Sequence, residues 1–111
     1  MLTAEYLGLK EMHSTHTIRV PQPICAGEAG GTAYAVFEYL DMGGRGTASS
    51  AKEMGRQLAR MHQCSSQNGQ FGFHVDNSCG ATLQPNGWTL DWAGFWDKVW
   101  EQAHVFSPVC R

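Results

Sequence analysis

The residues best placed for chemistry lie where an apolar strand ends. Residues 34–44 read YAVFEYLDMGG, and this run reaches its two glycines through a Glu38-Tyr39-Leu40-Asp41 step followed by Met42. A two-residue hairpin would favour Asn-Gly or Asp-Gly at this point. The pattern instead predicts a segment that crosses between two bodies and leaves backbone N–H and C=O groups free at the crossing.

A carboxylate also falls in the apolar stripe of the first predicted helix. Within residues 1–12, Leu2 lies three positions before Glu5 and Leu9 lies four positions after it. A charge on a packed helix face is costly unless a cation or several donors meet it. From the residues alone, two interpretations stay open: Glu5 lies at the edge of the stripe and reaches water, or it faces a lysine. No predicted strand brings a lysine to face it.

Metal and thiol chemistry have weaker support. His13 and His16 form an H-x-x-H with Cys25 nearby, but a structural zinc site uses four ligands in two close pairs, and no second pair follows. A structural role is favoured for these histidines, and packing or capping for His62 and His74. Cys79 has no basic neighbour in the sequence that would activate it as a redox thiol. The wide spacing of all four cysteines favours reduced thiols of an intracellular protein over a disulfide framework.

The first half of the chain predicts the strands and the helix that position these groups. Residues 17–23, TIRVPQP, predict a short strand that its two prolines end. The following CAGEAGG is typical of a turn, and TAYAVFEY at 32–39 predicts a second strand. Residues 43–50 predict a flexible joint, after which Ser50 and Glu53 fit a capping box for a helix ending near His62.

The second half predicts an ordered loop and an aromatic helix. Residues 63–89 are rich in Gly, Asn and Ser but hold apolar anchors, which is typical of an ordered functional loop. A last helix is predicted over 90–103, with Thr89 or Asp91 as its cap and Pro108 beyond its end. A helical aromatic stripe is more often core than a ligand platform. We therefore expect three tryptophans to pack beneath the loop and a fourth to be exposed; the packed ones are Trp88, Trp92 and Trp96, and the exposed one is Trp100.

Composition narrows the class of protein. Hydrophobic residues make up 42% and charged residues 16% of the 111, as in folded globular proteins. A net charge of -2 with scattered basic residues predicts no nucleic-acid partner, and no apolar run approaches the roughly 20 residues of a membrane helix. The N-terminus has no signal or transit pattern and starts inside a helix. We expect a soluble intracellular protein, with cytoplasm and plastid not distinguished, and a missing upstream segment.

Six short motifs occur in the order of one known family. They are RVPQP, FEYLDM, MGRQLARMH, FGF, GAT-Q-N-W and DW--F, within Met1 to about Gln102. Together they resemble the fructosamine or ketosamine 3-kinases, also called protein-ribulosamine 3-kinases. The resemblance implies an α+β, partial protein-kinase-like fold. Residues 1–42 would be the remnant of the N-lobe, with a helix, two strands and the hinge, and residues 43–111 the start of the helical C-lobe, with the loop 63–89 and the helix 90–103.

The resemblance assigns the crossing to a nucleotide site. In kinase-like folds the adenine ring of ATP pairs with backbone groups of the segment that connects the lobes. Phe37 would then shape the back wall of the pocket, and the hinge would be Glu38, Tyr39 and Leu40. The backbone of Glu38 and Leu40 would face adenine, and Asp41 would approach the ribose.

Glu5 matches the helix glutamate that pairs with the phosphate-binding lysine of kinases. The chain lacks that lysine, and it also lacks the Gly-rich loop, the H-G-D or H-R-D catalytic loop and the metal-binding aspartate. The tail AHVFSPVCR also departs from the family pattern. We therefore expect an internal fragment that has no turnover by itself.

The activity that the resemblance implies is phosphorylation of the 3-hydroxyl of ketosamines, with ATP and Mg²⁺ as cofactors. The substrates would be ketosamine-modified lysines of glycated proteins or small ketosamines, and deglycation would follow. An alternative is a non-catalytic truncated kinase-like module whose exposed core surface promotes association. Aminoglycoside or choline kinases are a third possibility, which the FGF and GAT motifs disfavour.

Overall fold

The computed structural model describes residues 2–80 and 82–106, and the side chains of 102–106 lie outside that description. Contacts divide it into two compact units, Leu2–Ser65 and the residues from Ser66 onward. The elements of the first unit are α1 (Leu2–Ser14), β1 (Pro23–Ala29), β2 (Thr32–Phe37) and α2 (Ala48–His62). Those of the second unit are β3 (Asn77–Cys79), β4 (Thr82–Gln84) and α3 (Trp92–Phe106). This mixed α+β content agrees with the predicted class. In the part of the chain that is described, no helix is long and apolar enough to span a membrane.

Strands β1 and β2 form an antiparallel hairpin that corrects two predictions. The predicted turn CAGEAGG is mostly strand, and only its two glycines form the turn, with φ of 57° at Gly30 and 76° at Gly31. Positive φ at both positions is what a two-residue type I′ turn requires. Of the strand predicted at 17–23, only Pro23 belongs to β1, as its first residue beside a bulge, a position that tolerates proline.

A cross-strand pair explains why so glycine-rich a stretch is a strand. Gly27 pairs with Tyr34, and a Cβ built on Gly27 would lie 2.8 Å from the Tyr34 hydroxyl oxygen. The tyrosine ring therefore covers the glycine and takes the space of its missing side chain, as aromatic residues do opposite strand glycines. The composition of CAGEAGG predicted a turn, because composition does not show which residue lies opposite on the neighbouring strand.

Helix α1 packs on this hairpin. The Tyr6 and Phe37 rings lie 6.5 Å apart, centroid to centroid, and join the helix to the end of β2. The apolar stripe residues Leu2 and Leu9 are half-buried, as the helical spacing predicts, whereas Glu5 is exposed.

The N-cap of helix α2 lies three residues before the predicted cap. Thr47 is the N-cap, its hydroxyl accepts a hydrogen bond from the Ser50 N–H at 3.1 Å, and the Ser50 hydroxyl accepts one from the Thr47 N–H at 2.8 Å. The predicted box of Ser50 with Glu53 is therefore wrong, because Ser50 is the N3 partner and not the cap. The helix takes 48–50 from the predicted joint and ends at His62, as expected.

Replacing Thr47 by alanine is expected to fray the start of α2. The change removes the acceptor of the Ser50 N–H, and loss of a threonine cap costs about 1 kcal/mol. Amide hydrogen exchange at Ser50 and Ala51 measures the effect. Ser49→Ala is the matched control, since it removes a hydroxyl from the same turn that makes no hydrogen bond in the described part of the chain. Equal exchange in the two variants would contradict the cap.

The second unit is more ordered than its composition suggests. The predicted irregular loop contains the hairpin β3–β4, and an isolated bridge joins Phe71 to Thr89. Asp91, one of the two predicted caps, begins α3 by accepting the Gly94 N–H at 2.8 Å on its carboxylate. The helix continues past the predicted end at 103 to Phe106, and Pro108 lies outside the described residues.

The aromatic face of α3 is largely exposed, which contradicts the predicted packing. Trp92 stacks on Trp96 with ring centroids 5.7 Å apart and meets the edge of Phe71 at 5.9 Å. Among residues 2–80 and 82–101, however, no apolar side chain is buried. Trp100 is not set apart by its exposure, because Trp92 is slightly more exposed; the exposed fractions are 38% for Trp88, 56% for Trp92, 49% for Trp96 and 54% for Trp100.

Candidate functional site

In the described part of the chain, the crossing after β2 leaves backbone donors and acceptors free, among them the Glu38 C=O and the Leu40 N–H. Strand β2 ends at Phe37, and no regular structure follows until α2. The Glu38 N–H donates to the Gln22 carbonyl at 2.9 Å. Within the described residues, the Glu38 C=O and the Leu40 N–H make no hydrogen bond. Tyr39 between them is 88% exposed. We name residues 38–41 the connector.

The Glu38 carboxylate is tied to the segment that precedes β1. It forms an ion pair with the Arg19 guanidinium, and its second oxygen accepts the Gln22 N–H at 3.0 Å. The hydrogen bond from Arg19, followed by that from Gln22, holds the pKa of Glu38 below its ordinary value. The same hydrogen bond raises the pKa of Arg19. The carboxylate therefore stays charged, and it joins the connector to residues 19–22.

This coupling predicts an acid-sensitive contact at the connector. Because the folded-state pKa of Glu38 is depressed, its contribution to stability is present above the ordinary value of 4.5 and is lost as the pH falls through the lower, folded value. In Arg19→Gln, the carboxyl midpoint is expected to move back toward 4.5. A carbon-detected NMR titration of the Glu38 side chain measures this midpoint. The same midpoint in both proteins would show that Arg19 does not hold the charge.

The other predicted site residues lie around the connector or on α1. Phe37 is half-buried against Tyr6 of α1. Asp41 is exposed, and one of its carboxylate oxygens accepts the Gly43 N–H at 2.9 Å. Glu5 lies on the same helix as Tyr6, with its carboxylate exposed. The structure thus groups Phe37 through Asp41 in one short segment, and the role of each in ligand binding stays a prediction.

Sequence reasoning missed the partners of Glu38 and the most constrained residue of the second unit. Arg19 and Gln22 belong to the RVPQP motif, and Glu38 belongs to FEYLDM. The occurrence of both motifs in the pattern of one family was the available signal of their contact. The other missed residue is Asn86, which lies in the QPNGW stretch of the loop.

Asn86 is the one buried residue among those described, with 4% of its surface exposed. Its side-chain amide donates to the Val75 carbonyl at 3.1 Å and to the Asn77 side-chain oxygen at 3.0 Å. Its backbone N–H donates to the Asp76 carboxylate at 2.8 Å, and its carbonyl accepts the Phe73 N–H at 2.7 Å. These four bonds fix the loop on both sides of β3 and β4, and we name them the Asn86 network.

Metal ligands are not assembled in the described part of the chain, where no three His, Cys, Asp or Glu side chains form a group that could hold an ion. His13 and His16 contact each other edge to face, with ring centroids 5.9 Å apart. Cys25, Cys64 and Cys79 are exposed free thiols, and Cys110 lies outside the described residues.

Comparison with known proteins gives consistent matches. The family model described as fructosamine kinase matches residues 1–102. A probable ketoamine kinase of Synechocystis is 50% identical over 95 residues, which are 86% of this chain and 32% of that protein. The chloroplastic protein-ribulosamine 3-kinase of Arabidopsis thaliana is 44% identical over 99 residues, 88% of this chain and 30% of that protein.

A solved structure matches as well. The crystal structure from Haemophilus somnus, assigned as a fructosamine-3-kinase, aligns with a TM-score of 0.75 at 27% identity. The alignment covers 89% of this chain and 33% of that one. The chain therefore spans about a third of the length of the proteins it matches.

Proposed function

This chain belongs to the fructosamine kinase family, and on that premise we propose that it supplies the nucleotide-binding connector of an ATP-dependent ketosamine 3-kinase. The match over residues 1–102 is the observation that carries the proposal. Relatives named protein-ribulosamine 3-kinases support a ketosamine as the phosphoryl acceptor, either on glycated protein lysines or as a small molecule. The acceptor atom would be the 3-hydroxyl oxygen. Residues 1–42 would be the end of the N-lobe and residues 43–111 the start of the C-lobe.

The connector suits an adenine ring. Adenine presents an amino donor next to a ring-nitrogen acceptor, and the connector presents the Glu38 C=O and the Leu40 N–H without other partners in the described residues. A ligand that satisfies both groups removes two unpaired backbone positions from the site. Phe37 would bound the ring from the side of β2, and the Asp41 carboxylate, which keeps one oxygen unused by Gly43, would accept a ribose hydroxyl.

Glu5 would act on the phosphates indirectly. Its carboxylate is exposed on α1, so a lysine outside this chain could reach it and be oriented toward the α- and β-phosphates. Magnesium would neutralise phosphate charge in such a reaction. The described residues provide no cluster of three ligands for that ion.

A chimera tests the proposed activity. The segment of the Arabidopsis protein-ribulosamine 3-kinase that matches this chain over 99 residues is replaced by the matching residues of this chain, and phosphorylation of a ribulosamine and a fructosamine is followed. The unmodified Arabidopsis protein is the positive control. We expect the chimera to phosphorylate a ketosamine and the 111-residue chain alone to show no turnover. A folded chimera that binds ATP but transfers no phosphate to either ketosamine would contradict the proposal.

A second candidate function follows from the exposed apolar surface. The amphipathic helix α2 exposes 60% of Met54 and 39% of Leu58, and α3 exposes the tryptophans described above. A non-catalytic module of this kind would associate through those faces. Sedimentation velocity of the purified chain over a range of concentrations tests it. A monomer at every concentration would remove this candidate, whereas association without nucleotide binding would favour it.

A further inference from the structure

We infer that the Glu38 side chain accepts the hydrogen bond of the Gln22 N–H in place of the Glu38 backbone carbonyl, which leaves that carbonyl free for the ligand. Arg19 is the positioning residue that holds the Glu38 side chain there. The inference rests on the proposed function in so far as the freed carbonyl is assigned to adenine. It concerns the side chains of Glu38 and Arg19, which the proposed function does not place on the nucleotide.

The register of the hairpin shows what a regular ladder would do. Pro23 pairs with Phe37, so the next positions along the two chains are Gln22 and Glu38. In an antiparallel hydrogen-bonded pair, the two residues exchange both of their N–H···O bonds. The first of these is present, because the Glu38 N–H donates to the Gln22 carbonyl at 2.9 Å.

The second bond is replaced. The Gln22 N–H donates at 3.0 Å to Oε2 of the Glu38 side chain instead of to the Glu38 carbonyl. The side-chain acceptor satisfies Gln22 and leaves the backbone carbonyl without a partner in the described residues. An apolar residue at position 38 would have no acceptor to offer, so the ladder would close through the carbonyl itself.

Arg19 fixes this exchange. Its guanidinium pairs with Oε1, the carboxylate oxygen that Gln22 does not use, and the two partners hold the carboxyl group from both sides. The Arg19 side chain is 60% exposed and that of Glu38 33%, so the pair is not part of a buried core. Its consequence is therefore expected in the geometry of the connector more than in global stability.

Couplings across hydrogen bonds test the exchange directly, without nucleotide. In the full 111-residue chain, the Gln22 backbone nitrogen is expected to show a coupling to the side-chain carboxyl carbon of Glu38. In Glu38→Ala, that coupling should pass to the backbone carbonyl carbon of residue 38. In Glu38→Gln, the amide oxygen still accepts from Gln22, so the side-chain coupling should persist. A coupling from Gln22 to the backbone carbonyl of Glu38 in the unmodified chain would overturn the inference.

Adenosine binding, followed through the Leu40 amide shift, gives the second readout. If Glu38→Ala or Arg19→Gln lowers the fraction of chains with a free carbonyl to about a tenth, the apparent Kd rises about tenfold. Glu38→Gln should largely restore binding. Arg56→Gln is the matched control, because Arg56 forms a comparably exposed ion pair with Glu53 on α2. Equal Kd values for Glu38→Ala and Arg56→Gln would overturn the inference.

The two readouts also separate this inference from the proposed function. If the unmodified chain shows the side-chain coupling but adenosine does not perturb Leu40, the exchange at Gln22 is correct and the assignment of its ligand is wrong. If adenosine perturbs Leu40 and the coupling runs to the backbone carbonyl, nucleotide binding stands and the inference fails.

Discussion

Replacing Gly72 by alanine is expected to disrupt the Asn86 network, the largest structural effect of any single substitution considered for this chain. Gly72 has a φ of 147°, in a region that side chains rarely adopt. A Cβ there would lie 2.7 Å from the Asn86 carbonyl oxygen and 2.9 Å from the Trp88 Cα, both of which are backbone atoms. Strain of this kind costs about 1–3 kcal/mol before the steric overlap is added. The backbone must therefore move, and the Phe73–Asn86 hydrogen bond should break.

Hydrogen exchange of the Phe73 amide measures the loss, since this N–H donates to the Asn86 carbonyl at 2.7 Å. A local destabilisation of about 3 kcal/mol raises its exchange rate by about two orders of magnitude. Gly69→Ala is the matched control: Gly69 also has a positive φ, 69°, but a Cβ there meets nothing within 4 Å. Similar protection of Phe73 in both variants would show that the contact with Asn86 does not constrain Gly72.

The same contact gives a physical reason for two of the motifs found in the sequence. FGF and N-G-W lie 14 positions apart between Gly72 and Asn86, a separation at which neither helical nor strand periodicity relates them. The sequence therefore indicated an ordered loop from its apolar anchors, but not that an asparagine would be its buried centre. Only the folded loop shows that the absence of a side chain at Gly72 makes room for the Asn86 carbonyl.

Helices were easier to predict than strands for a definite reason. The stripes of α1 and α2 repeat over a dozen residues or more and survive an error at the cap, as the shift from Ser50 to Thr47 shows. The strand β1 carries no such repeat, and its glycines and alanines resemble a turn until Tyr34 is placed across from Gly27. A local sequence pattern identifies a helix, because the hydrogen-bonding partners of a helical residue are its neighbours in sequence. It fails for a strand, because the partner of each residue lies in another strand.

Burial was the least predictable property. The tryptophans of α3 have the spacing of a packed face, and spacing does not show whether another element covers that face. In the described residues, the tryptophan face of α3 stays half-exposed. For the candidate site, the pattern placed irregular backbone before the two glycines, but it predicted the strand through Tyr39, two residues past its observed end at Phe37. The partners of Glu38 could not be derived, because Arg19 lies 19 residues away in a segment that was predicted as strand.

Leu40→Pro is expected to abolish most adenosine binding at the connector, the largest functional effect predicted for this chain. Proline has no N–H, so the substitution removes the donor assigned to the adenine ring nitrogen and leaves the Glu38 carbonyl in place. His16 is the one non-glycine residue with positive φ among those described, so Leu40 has a φ of the sign that proline adopts. Loss of one of two hydrogen bonds, worth about 1.4 kcal/mol, weakens binding about tenfold.

Met42→Pro separates the missing donor from the stiffness of proline. Met42 lies two residues further along, has a negative φ, is 85% exposed and makes no hydrogen bond in the described part of the chain. Adenosine titrations followed at the Glu38 and Tyr39 amides should give a weakened Kd for Leu40→Pro and an unchanged Kd for Met42→Pro. Inosine, which carries a keto group where adenosine carries an amino group, should bind all three proteins equally poorly. If Leu40→Pro binds adenosine as well as the unmodified chain, the connector does not hold the adenine ring through the Leu40 N–H.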